Sequence, residues 1–313
     1  MIASRTPLRI SFCGGGTDFK DYYARHGGAV LSTAIDQYVY LIANKRFEKG
    51  IRLGYSQTEI IDRRQQVRHP LFNACMKAAG IDSGIELLSL ADIPSKGSGL
   101  GSSSSFAVGL LNVLHAYQGK KKPARSLAEQ ACHVEIGLLR EPIGKQDQYI
   151  AAYGGFKHIT FNSDESVFVQ PVICKPHIFQ ELQKNLLLFY TGISQRSHEV
   201  LHEQRRNSHA KKGTLSEMAR LAKDLRDSLN EGALDQFGKL LHENWMLKKE
   251  LSEGISSNLI DEYYEKALRS GASGGKLLGA GGRGFLLMYC EEANQQKVCD
   301  SLQEMRKVDF AFE

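Results

Sequence analysis

Three glycines in five positions, Gly97, Gly99 and Gly101, stand immediately before four consecutive serines, and this combination could bind a phosphate group. Glycine allows backbone dihedrals that are closed to other residues, and it lets backbone N–H groups come close to a ligand. Apolar residues three or four apart follow from Phe106 to Tyr117, which predicts a helix over residues 103–117. The unpaired N–H groups and the positive dipole end at the helix start favour an anion, with a polyphosphate as the obvious candidate.

Two familiar phosphate loops do not fit this stretch. A Walker loop ends in Gly-Lys-Ser/Thr, whereas Gly101 is followed only by serines. A dinucleotide fingerprint counted from Gly97 and Gly99 places Ser102 where the third glycine belongs. A flexible linker without a ligand is the other alternative, but linkers do not usually join an apolar strand-like run such as residues 85–90 directly to an amphipathic helix.

Two carboxylates, Glu135 and Asp147, are the next candidates. Residues 125–139 predict a helix with one buried face, formed by Leu127, Ala131, Val134 and Leu138. Glu135 falls at the edge of that face, and a buried carboxylate is costly unless it is paired. A buried salt bridge and a metal ion explain it equally well. Asp147 follows twelve residues later and could be an exposed loop residue.

Residues 7–18 alternate apolar and polar side chains through Leu8, Ile10 and Phe12 and then reach a glycine turn. The pattern predicts a strand that presents Asp18 at its end. Asp18 could cap a helix predicted over residues 19–25, bind a ligand, or do both.

These segments resemble the motifs of the GHMP kinases, a superfamily that includes galactokinases, homoserine kinases and mevalonate kinases. Residues 94–103 resemble the ATP loop Pro-x-x-x-Gly-Leu-Gly-Ser-Ser, with one extra residue before Gly99. Residues 144–148 resemble the Gly-x-x-Asp-Gln segment of the sugar kinases, in which a magnesium-binding Glu stands twelve residues before the Asp. Residues 276–284 resemble the third motif, Lys-x-x-Gly-Ala-Gly-x-Gly, which packs beside the phosphate loop in that superfamily.

Residues 7–18 also resemble the galactokinase signature Pro-Gly-Arg-x-Asn-x-x-Gly-Glu-His-Thr-Asp. The matching residues are Pro7, Arg9, Gly14, Thr17 and Asp18. Where galactokinases have Glu-His, this chain has Gly15 and Gly16, which removes sugar-reading side chains and argues against galactose.

The resemblance implies a two-domain α+β fold: a mixed N-terminal ATP-binding domain, residues 1–180, and a helix-rich α+β C-terminal domain, residues 181–313. It implies an ATP- and Mg²⁺-dependent kinase that phosphorylates a sugar hydroxyl. Asp147 is then the catalytic base, Arg9 offsets developing charge, and Ser103 and Glu135 hold magnesium. The implied ATP-binding residues are Pro94, Lys96, Gly97, Ser98, Gly99, Leu100, Gly101, Ser102, Ser103 and Ser104. The implied sugar-binding residues are Gly15, Gly16, Thr17, Asp18, Lys145, Gly281 and Gly282.

For the acceptor, residues 14–18, 144–149 and 190–194 together resemble the bacterial D-glycero-D-manno-heptose 7-phosphate kinases. That resemblance implies phosphorylation of the anomeric hydroxyl to the 1,7-bisphosphate, for nucleotide-activated heptose in lipopolysaccharide or capsule synthesis. A phosphorylated substrate needs cations in its pocket, and the candidates are Lys145, Arg5, Lys20 and Arg25. The alternatives are another anomeric sugar kinase, of fucose or hexose type, and a catalytically silent sugar sensor.

Two further motif matches are explained more simply. Residues 198–202, His-Glu-Val-Leu-His, match the zinc-protease pattern, but the surroundings are highly charged and neither Gly nor His follows at the longer motif's spacing, which favours a surface helix. Gly279, Gly281 and Gly284 satisfy Gly-x-Gly-x-x-Gly, yet strand-like residues 285–289 follow instead of a helix.

The composition is that of an ordinary globular protein, with 24% charged and 42% hydrophobic residues. The net charge of +5 is spread over short clusters, which does not favour nucleic-acid binding. Six cysteines without paired metal spacing fit a reducing compartment. No apolar run approaches a membrane helix or a signal peptide's core. We therefore expect a cytoplasmic protein with small-molecule partners and neither nucleic acid nor membrane, and a homodimer stays open.

Periodicity predicts the remaining elements. The predicted strands are residues 29–35, 38–43, 51–55, 85–90, 156–161, 167–172, 186–190 and 285–289. The other predicted helices are residues 69–79, 194–209, 214–230, 234–250, 257–269 and 294–308. The chain becomes mostly helical after residues 175–185, which places the domain boundary there.

Overall fold

The computed structural model describes residues 1–94, 97–192 and 197–313. Its strands are β1 (Ile2–Cys13), β2 (Gly28–Lys45), β3 (Ile51–Gly54), β4 (Thr58–Ile61), β5 (Ile85–Ala91), β6 (Phe156–Phe161), β7 (Val167–Pro171), β8 (Leu186–Tyr190), β9 (Gly274–Leu277), β10 (Phe285–Tyr289) and β11 (Arg306–Lys307). Its α-helices are α1 (Lys20–His26), α2 (Pro70–Ala79), α3 (Ser102–Tyr117), α4 (Ala124–Cys132), α5 (Gln146–Tyr153), α6 (Pro176–Lys184), α7 (Ser197–Asn207), α8 (Lys212–Glu231), α9 (Leu234–Lys249), α10 (Asn258–Arg269) and α11 (Glu292–Ser301). A π-helical segment, His133–Leu138, continues α4. In these ranges no helix is both long and apolar enough to cross a membrane.

The structure confirms the predicted α+β class and most of the predicted elements, with differences at several places. The two strands predicted over residues 29–43 form the single strand β2. The predicted C-terminal helix ends at Ser301, and β11 follows it. The sequence patterns did not predict β4, α5, α6 or β9. The start of the helix predicted from residue 194 lies outside the described residues.

The chain divides into two compact units that interleave along the sequence. Unit 1 contains Met1–Arg9, Asp36–Lys96 and Gly101–Gly154, and unit 2 contains Ile10–Ile35, Gly97–Leu100 and Gly155–Glu313. The predicted domains, 1–180 and 181–313, are contiguous segments instead, and their boundary stays a prediction.

Unit 1 combines a sheet with helices that surround α3. The strand order is β4-β3-β5-β2, in which β3 and β5 are parallel and the second half of β2 pairs antiparallel with β5. Helix α3 contacts α2, α4 and α5. It is buried on nearly all sides, at Ala107, Val108, Leu110, Leu111, Val113 and Leu114, so the prediction of one buried face was too narrow. This central position fixes the start of α3, where the serines lie.

Unit 2 contains two groups of strands and the long helices. The first half of β2 pairs with β6, and β6 pairs with β7, all antiparallel. A separate antiparallel sheet has the order β11-β8-β10-β9. Its apolar side chains, including Phe189 and Leu286, pack in one core with Trp245 of α9 and Tyr264 of α10. This core anchors α9, whose polar residues reach the 14–18 loop described below.

Candidate active site

Arg9 and Asp147 form a two-bond ion pair in unit 1. Arg9 lies on β1, and Asp147 lies in the first turn of α5 rather than in an exposed loop. The guanidinium donates from Nε to Oδ1 and from Nη2 to Oδ2, each at 2.7 Å. The Arg9 side chain is buried, whereas the Asp147 side chain keeps 24% of its surface exposed. Because a carboxylate oxygen accepts more than one hydrogen bond, Asp147 is oriented by Arg9 and can still receive a substrate proton.

Glu135 is fully buried, yet its partners are neutral groups. Ser103 Oγ donates to Oε1 at 2.6 Å, and Ser104 Oγ donates to Oε2 at 2.7 Å. Gln148 Nε2 also donates to Oε2, at 2.6 Å. Burial raises the pKa of the Glu135 carboxyl to about 7, although these three hydrogen bonds oppose the shift. The carboxylate is therefore held by hydroxyl and amide donors, and not by the salt bridge that was one of the two explanations for its burial.

The position of Glu135 depends on the π-helical segment. The predicted α-helix is confirmed only to Cys132, after which the wider turns of the π-helix change the direction of each side chain. Leu138, expected on the buried face, is 40% exposed as a result, while Val134 stays buried. A helical wheel at 100° per residue therefore does not describe the segment that carries Glu135.

The oxygen groups around Glu135 fit a magnesium ion bound together with phosphates. Magnesium prefers hard oxygen ligands and is usually held by one or two carboxylates plus phosphate oxygens and water. Glu135 and the hydroxyl of Ser103, an exposed residue at the start of α3, supply such oxygens. Gln148 Oε1 is buried and has no hydrogen-bond donor within the described part of the chain, so it could accept from a metal-bound water. The same part of the chain contains no cluster of three or more His, Cys, Asp or Glu residues that could hold a metal alone.

Gly101 brings the start of α3 against the Arg9–Asp147 pair. It is the N-cap residue of α3 and has a φ of +76°. A Cβ atom at this position would lie 3.2 Å from Arg9 Cγ and 3.4 Å from Asp147 Oδ2. Glycine is therefore needed both for the backbone conformation and for this close approach. An anion at the N-terminus of α3 would lie beside the paired side chains.

A cavity of about 760 Å³ opens beside the same helix start in unit 1. Its wall includes Ser102, Ser103, Phe106, Tyr55, His69 and Leu90. The rings of His69 and Phe106 are stacked with centroids 5.6 Å apart. Flat and apolar groups thus lie next to the hydroxyls at the start of α3.

In unit 2, the loop of residues 14–18 is held by its own polar groups. Asp18 Oδ1 accepts from the Gly16 N–H at 2.9 Å, and Phe19 is the N-cap of α1. Of the alternatives left open for Asp18, the structure therefore does not support capping of this helix. Thr17 is fully buried, and its hydroxyl lies 2.8 Å from the Gly14 carbonyl oxygen and accepts from the Ala29 N–H. Thr17 therefore stabilises the turn, while Gly15 and Gly16 form its buried backbone.

The third glycine motif packs against residues 97–100, within unit 2. A Cβ on Gly279 would lie 2.6 Å from Gly99 Cα, and a Cβ on Gly284 would lie 2.4 Å from the Ser98 carbonyl oxygen. The expected packing beside the phosphate loop is therefore confirmed for these residues. Gly281 and Gly282 lie against Ile255, whose carbonyl accepts from the Gly282 N–H at 2.9 Å.

The other predicted site residues have different surroundings. Leu100 and Ser98 are buried, and Ser98 Oγ accepts from the Leu100 N–H at 3.3 Å, so this backbone donor already has a partner within the loop. Pro94 is exposed, and Lys145 is half-buried two residues before Asp147. Lys96 lies outside the described residues.

Sequence reasoning missed three polar residues that the structure places in these segments. Gln148 was quoted only as part of a motif, although its position next to Asp147 was the available signal. Lys248 contacts the carbonyl of Gly15, and nothing in its sequence context indicates this. Arg283 occupies the position of the last glycine in the third motif, Lys-x-x-Gly-Ala-Gly-x-Gly, and it packs on Gly97. A Cβ added at Gly97 would lie 2.3 Å from the Arg283 Cζ atom.

The zinc-protease match lies on α7, as a helix was predicted there. His198 and His202 have ring centroids 4.5 Å apart. Within the described residues, these two histidines do not belong to any group of three or more His, Cys, Asp or Glu side chains that could hold a metal ion. The arrangement therefore gives no support to a zinc site.

Two family models match the chain, one in each half. Residues 67–155 match the model described as the GHMP kinases N terminal domain, and residues 225–307 match the GHMP kinases C terminal model. Together they cover more than half of the chain. The chain belongs to the GHMP kinases. In this chain the serines at the start of α3, Glu135 and Asp147 all lie in unit 1.

Individual relatives of this GHMP kinase resemble it along most of its length. It is 27% identical to a D-glycero-alpha-D-manno-heptose 7-phosphate kinase of Campylobacter jejuni, over 99% of this chain and 96% of that protein. It is 28% identical to the L-fucokinase/L-fucose-1-P guanylyltransferase of Bacteroides fragilis, over 93% of this chain but 35% of that longer protein. The crystal structure of a D-glycero-D-manno-heptose 1-phosphate kinase from Bacteroides thetaiotaomicron shares the fold, with a TM-score of 0.83 and 23% identity, covering 100% of this chain and 96% of that one.

These similarities make the protein a phosphotransferase with an alcohol group as acceptor and ATP as the phosphate donor.

Proposed function

We propose that this GHMP kinase transfers the γ-phosphoryl group of ATP to the anomeric hydroxyl of D-glycero-D-manno-heptose 7-phosphate, giving the 1,7-bisphosphate. The observation that carries the proposal is the similarity to the Campylobacter jejuni heptose 7-phosphate kinase along 99% of the chain. The wider class, a sugar kinase, is also supported by the fucokinase relatives and by a galactokinase of Pyrococcus furiosus that is 24% identical. Such a product would feed nucleotide-heptose synthesis, and we place the reaction in the cytoplasm, where ATP is available.

In the proposed reaction, Asp147 accepts the proton of the attacking hydroxyl. A bond forms between the hydroxyl oxygen and the γ-phosphorus as the bond to the bridging oxygen breaks, and ADP leaves. The two hydrogen bonds from Arg9 hold the carboxylate in one orientation, and the guanidinium offsets negative charge on the transferred group. This division of roles suits a reaction in which positioning and charge stabilisation supply most of the catalysis.

ATP binding is assigned to residues 94 and 96–104 and to the cavity beside the start of α3. The phosphates would meet backbone N–H groups and hydroxyls at the start of α3, while the flat base would enter the cavity with Tyr55, His69 and Phe106. Ser103 and Glu135 would hold Mg²⁺, which supplies charge neutralisation on the phosphates.

The acceptor is assigned to the 14–18 loop, to Lys145 and to the backbone of Gly281 and Gly282. Asp18 would accept hydrogen bonds from sugar hydroxyls, which its carboxylate can do while it also accepts from Gly16. Lys145 would pair with the substrate phosphate. A homodimer stays a prediction.

A second candidate is a kinase for the anomeric hydroxyl of fucose. It is favoured by the two bifunctional fucokinase relatives, which are 27% and 28% identical over 93% of this chain. Their activity needs no pocket for a substrate phosphate, so the role of Lys145 separates the two candidates.

The test is magnesium-dependent ATP turnover with heptose 7-phosphate, mannose 6-phosphate, fucose and galactose as acceptors. We expect turnover with the heptose phosphate alone, and turnover only with fucose would support the second candidate.

Asp147→Asn should abolish turnover while ATP still binds and the protein stays folded, because the amide cannot take the proton. Lys145→Ala should raise the KM for the sugar phosphate far more than the KM for ATP, and equal rises would contradict its role. An absence of turnover with every acceptor would favour a silent sugar sensor.

A further inference from the structure

Lys248 is a buried cation that the proposed reaction leaves unused. It lies on α9, one residue before the helix ends, and only 6% of its surface is exposed. Its ammonium donates to the Gly15 carbonyl oxygen at 3.1 Å and to Gln204 Oε1 at 2.6 Å. Burial lowers the pKa of this ammonium to about 8, and the negative charge of Asp18 acts in the opposite direction. A cation is costly in such surroundings, so the contacts it makes require an explanation.

One peptide unit connects Lys248 with Asp18. The carbonyl of the Gly15–Gly16 peptide accepts from Lys248, and the N–H of the same peptide donates to Asp18 Oδ1 at 2.9 Å. Because a trans peptide is planar and its C=O and N–H point in opposite directions, the two side chains hold the two ends of one rigid plane. Gly16 has a φ of +111°, and a peptide between two glycines rotates easily unless it is held.

The contacts continue from Lys248 to the third glycine motif. Gln204 on α7 is buried, and its Nε2 donates to the Ala280 carbonyl oxygen at 2.7 Å. Gln204 thus joins Lys248 to the residue directly before Gly281. All of these groups belong to unit 2.

We propose that Lys248 is a positioning residue for sugar binding: it fixes the Gly15–Gly16 peptide, and through that peptide it fixes the Asp18 carboxylate that orients the acceptor. The inference rests on the proposed role of Asp18 in sugar binding. It predicts that Lys248 matters for the acceptor and not for ATP, and that its effect disappears when Asp18 can no longer act.

The kinetic test uses Lys248→Met, Asp18→Asn and the double variant. Lys248→Met should raise the KM for the sugar about tenfold or more and leave the KM for ATP within about twofold, since the Gly15 carbonyl loses a hydrogen bond from a charged group. The double variant should resemble Asp18→Asn, because residues that act through one another have non-additive effects. Fully additive effects, or equal rises in both KM values, would overturn the proposal.

Lys249→Met is the matched control. Lys249 is the next residue on α9, but its ammonium donates to Asp261 at 3.0 Å and does not contact the loop. Its loss should leave the KM for the sugar unchanged. If Lys248→Met does not fold, Gln204→Leu removes one of the two acceptors of the ammonium and should raise the same KM, and an unchanged KM in that variant would count against the proposal.

Hydrogen exchange provides a readout that does not depend on turnover. The proteolytic fragment that contains the Gly16 amide should exchange faster in Lys248→Met than in Lys249→Met, because the Gly15–Gly16 plane is then held only at its Asp18 end. Equal exchange would refute the positioning role. Faster exchange in a protein that phosphorylates no sugar would instead refute the proposed function and leave the loop contact in place.

Discussion

The buried carboxylate Glu135, the magnesium ligand proposed above, should make magnesium binding depend on pH near neutrality. Its pKa is raised to about 7 by burial, and a metal ligand must be ionised. With a pKa of about 7, the ionised fraction falls about tenfold between pH 8 and pH 6, so the apparent affinity for Mg²⁺ should fall by about the same factor. Affinity therefore rises as the pH rises through 7.

Gln148→Leu tests the physical cause of this pH dependence. The variant removes one of three hydrogen bonds that favour the ionised form of Glu135, so the pKa should rise further. A hydrogen bond to a charged group contributes about 1.5 kcal/mol or more, which corresponds to a shift of about one pH unit. The midpoint of the pH dependence should therefore move to a higher pH by about that amount.

The assay is Mg²⁺ titration of ATP binding by calorimetry at several pH values between 6 and 8.5. ATP has a protonation of its own, so Glu135→Gln serves as the control that keeps this background and removes the carboxylate. The reasoning is refuted if the wild type and Glu135→Gln show the same pH dependence, or if Gln148→Leu leaves the midpoint where it was.

Two further predictions concern stability. Gly99→Ala should destabilise the protein by about 2–4 kcal/mol, since residue 99 has a φ of +73° and its new Cβ would lie 2.4 Å from the Leu278 carbonyl oxygen. Gly80→Ala is the control: residue 80 has a φ of +70° but no atom within 4 Å of the new Cβ, so this variant should cost only about 1 kcal/mol. Equal losses of Tm in the two variants would argue against the clash at residue 99. His158 is buried, and burial lowers the pKa of its imidazole to about 4. Between pH 6.5 and pH 4 the unfolded chain therefore binds more protons than the folded protein. The free energy of unfolding should fall by up to about 3 kcal/mol as the pH drops through that range. Denaturant unfolding of His158→Leu should show a flatter pH dependence over that range, and an identical slope would contradict this explanation.

Local patterns predicted the elements better than they predicted the contacts between them. The strand at residues 285–289 was recognisable because it is wholly apolar, and the structure buries each of its residues. Leu138 was assigned to the wrong face because a π-helical segment depends on tertiary packing, which a fixed periodicity does not include. Short strands such as β11 carry too little pattern to be found.

The candidate site shows the same limit. Arg9 and Asp147 were singled out from separate motifs, but their direct ion pair joins residues 138 positions apart, and no local pattern indicates it. Glu135 was selected for its place on a helical wheel, while its three donors come from α3 and α5. Lys248 has no local signal at all, because its role follows only from where α9 packs in unit 2.

The interleaved segments have a consequence for synthesis on the ribosome. The last segment of unit 1 is complete once Gly154 is made, whereas the Ile10–Ile35 segment of unit 2 must wait for β6 to pair with β2. Strand β8 must wait still longer, because its partner β11 is reached only at residues 306–307. Since chains grow from the N-terminus and distant pairings form slowly, unit 1 should acquire structure first, whereas the sheet of unit 2 is completed only when β11 is made near the end of translation.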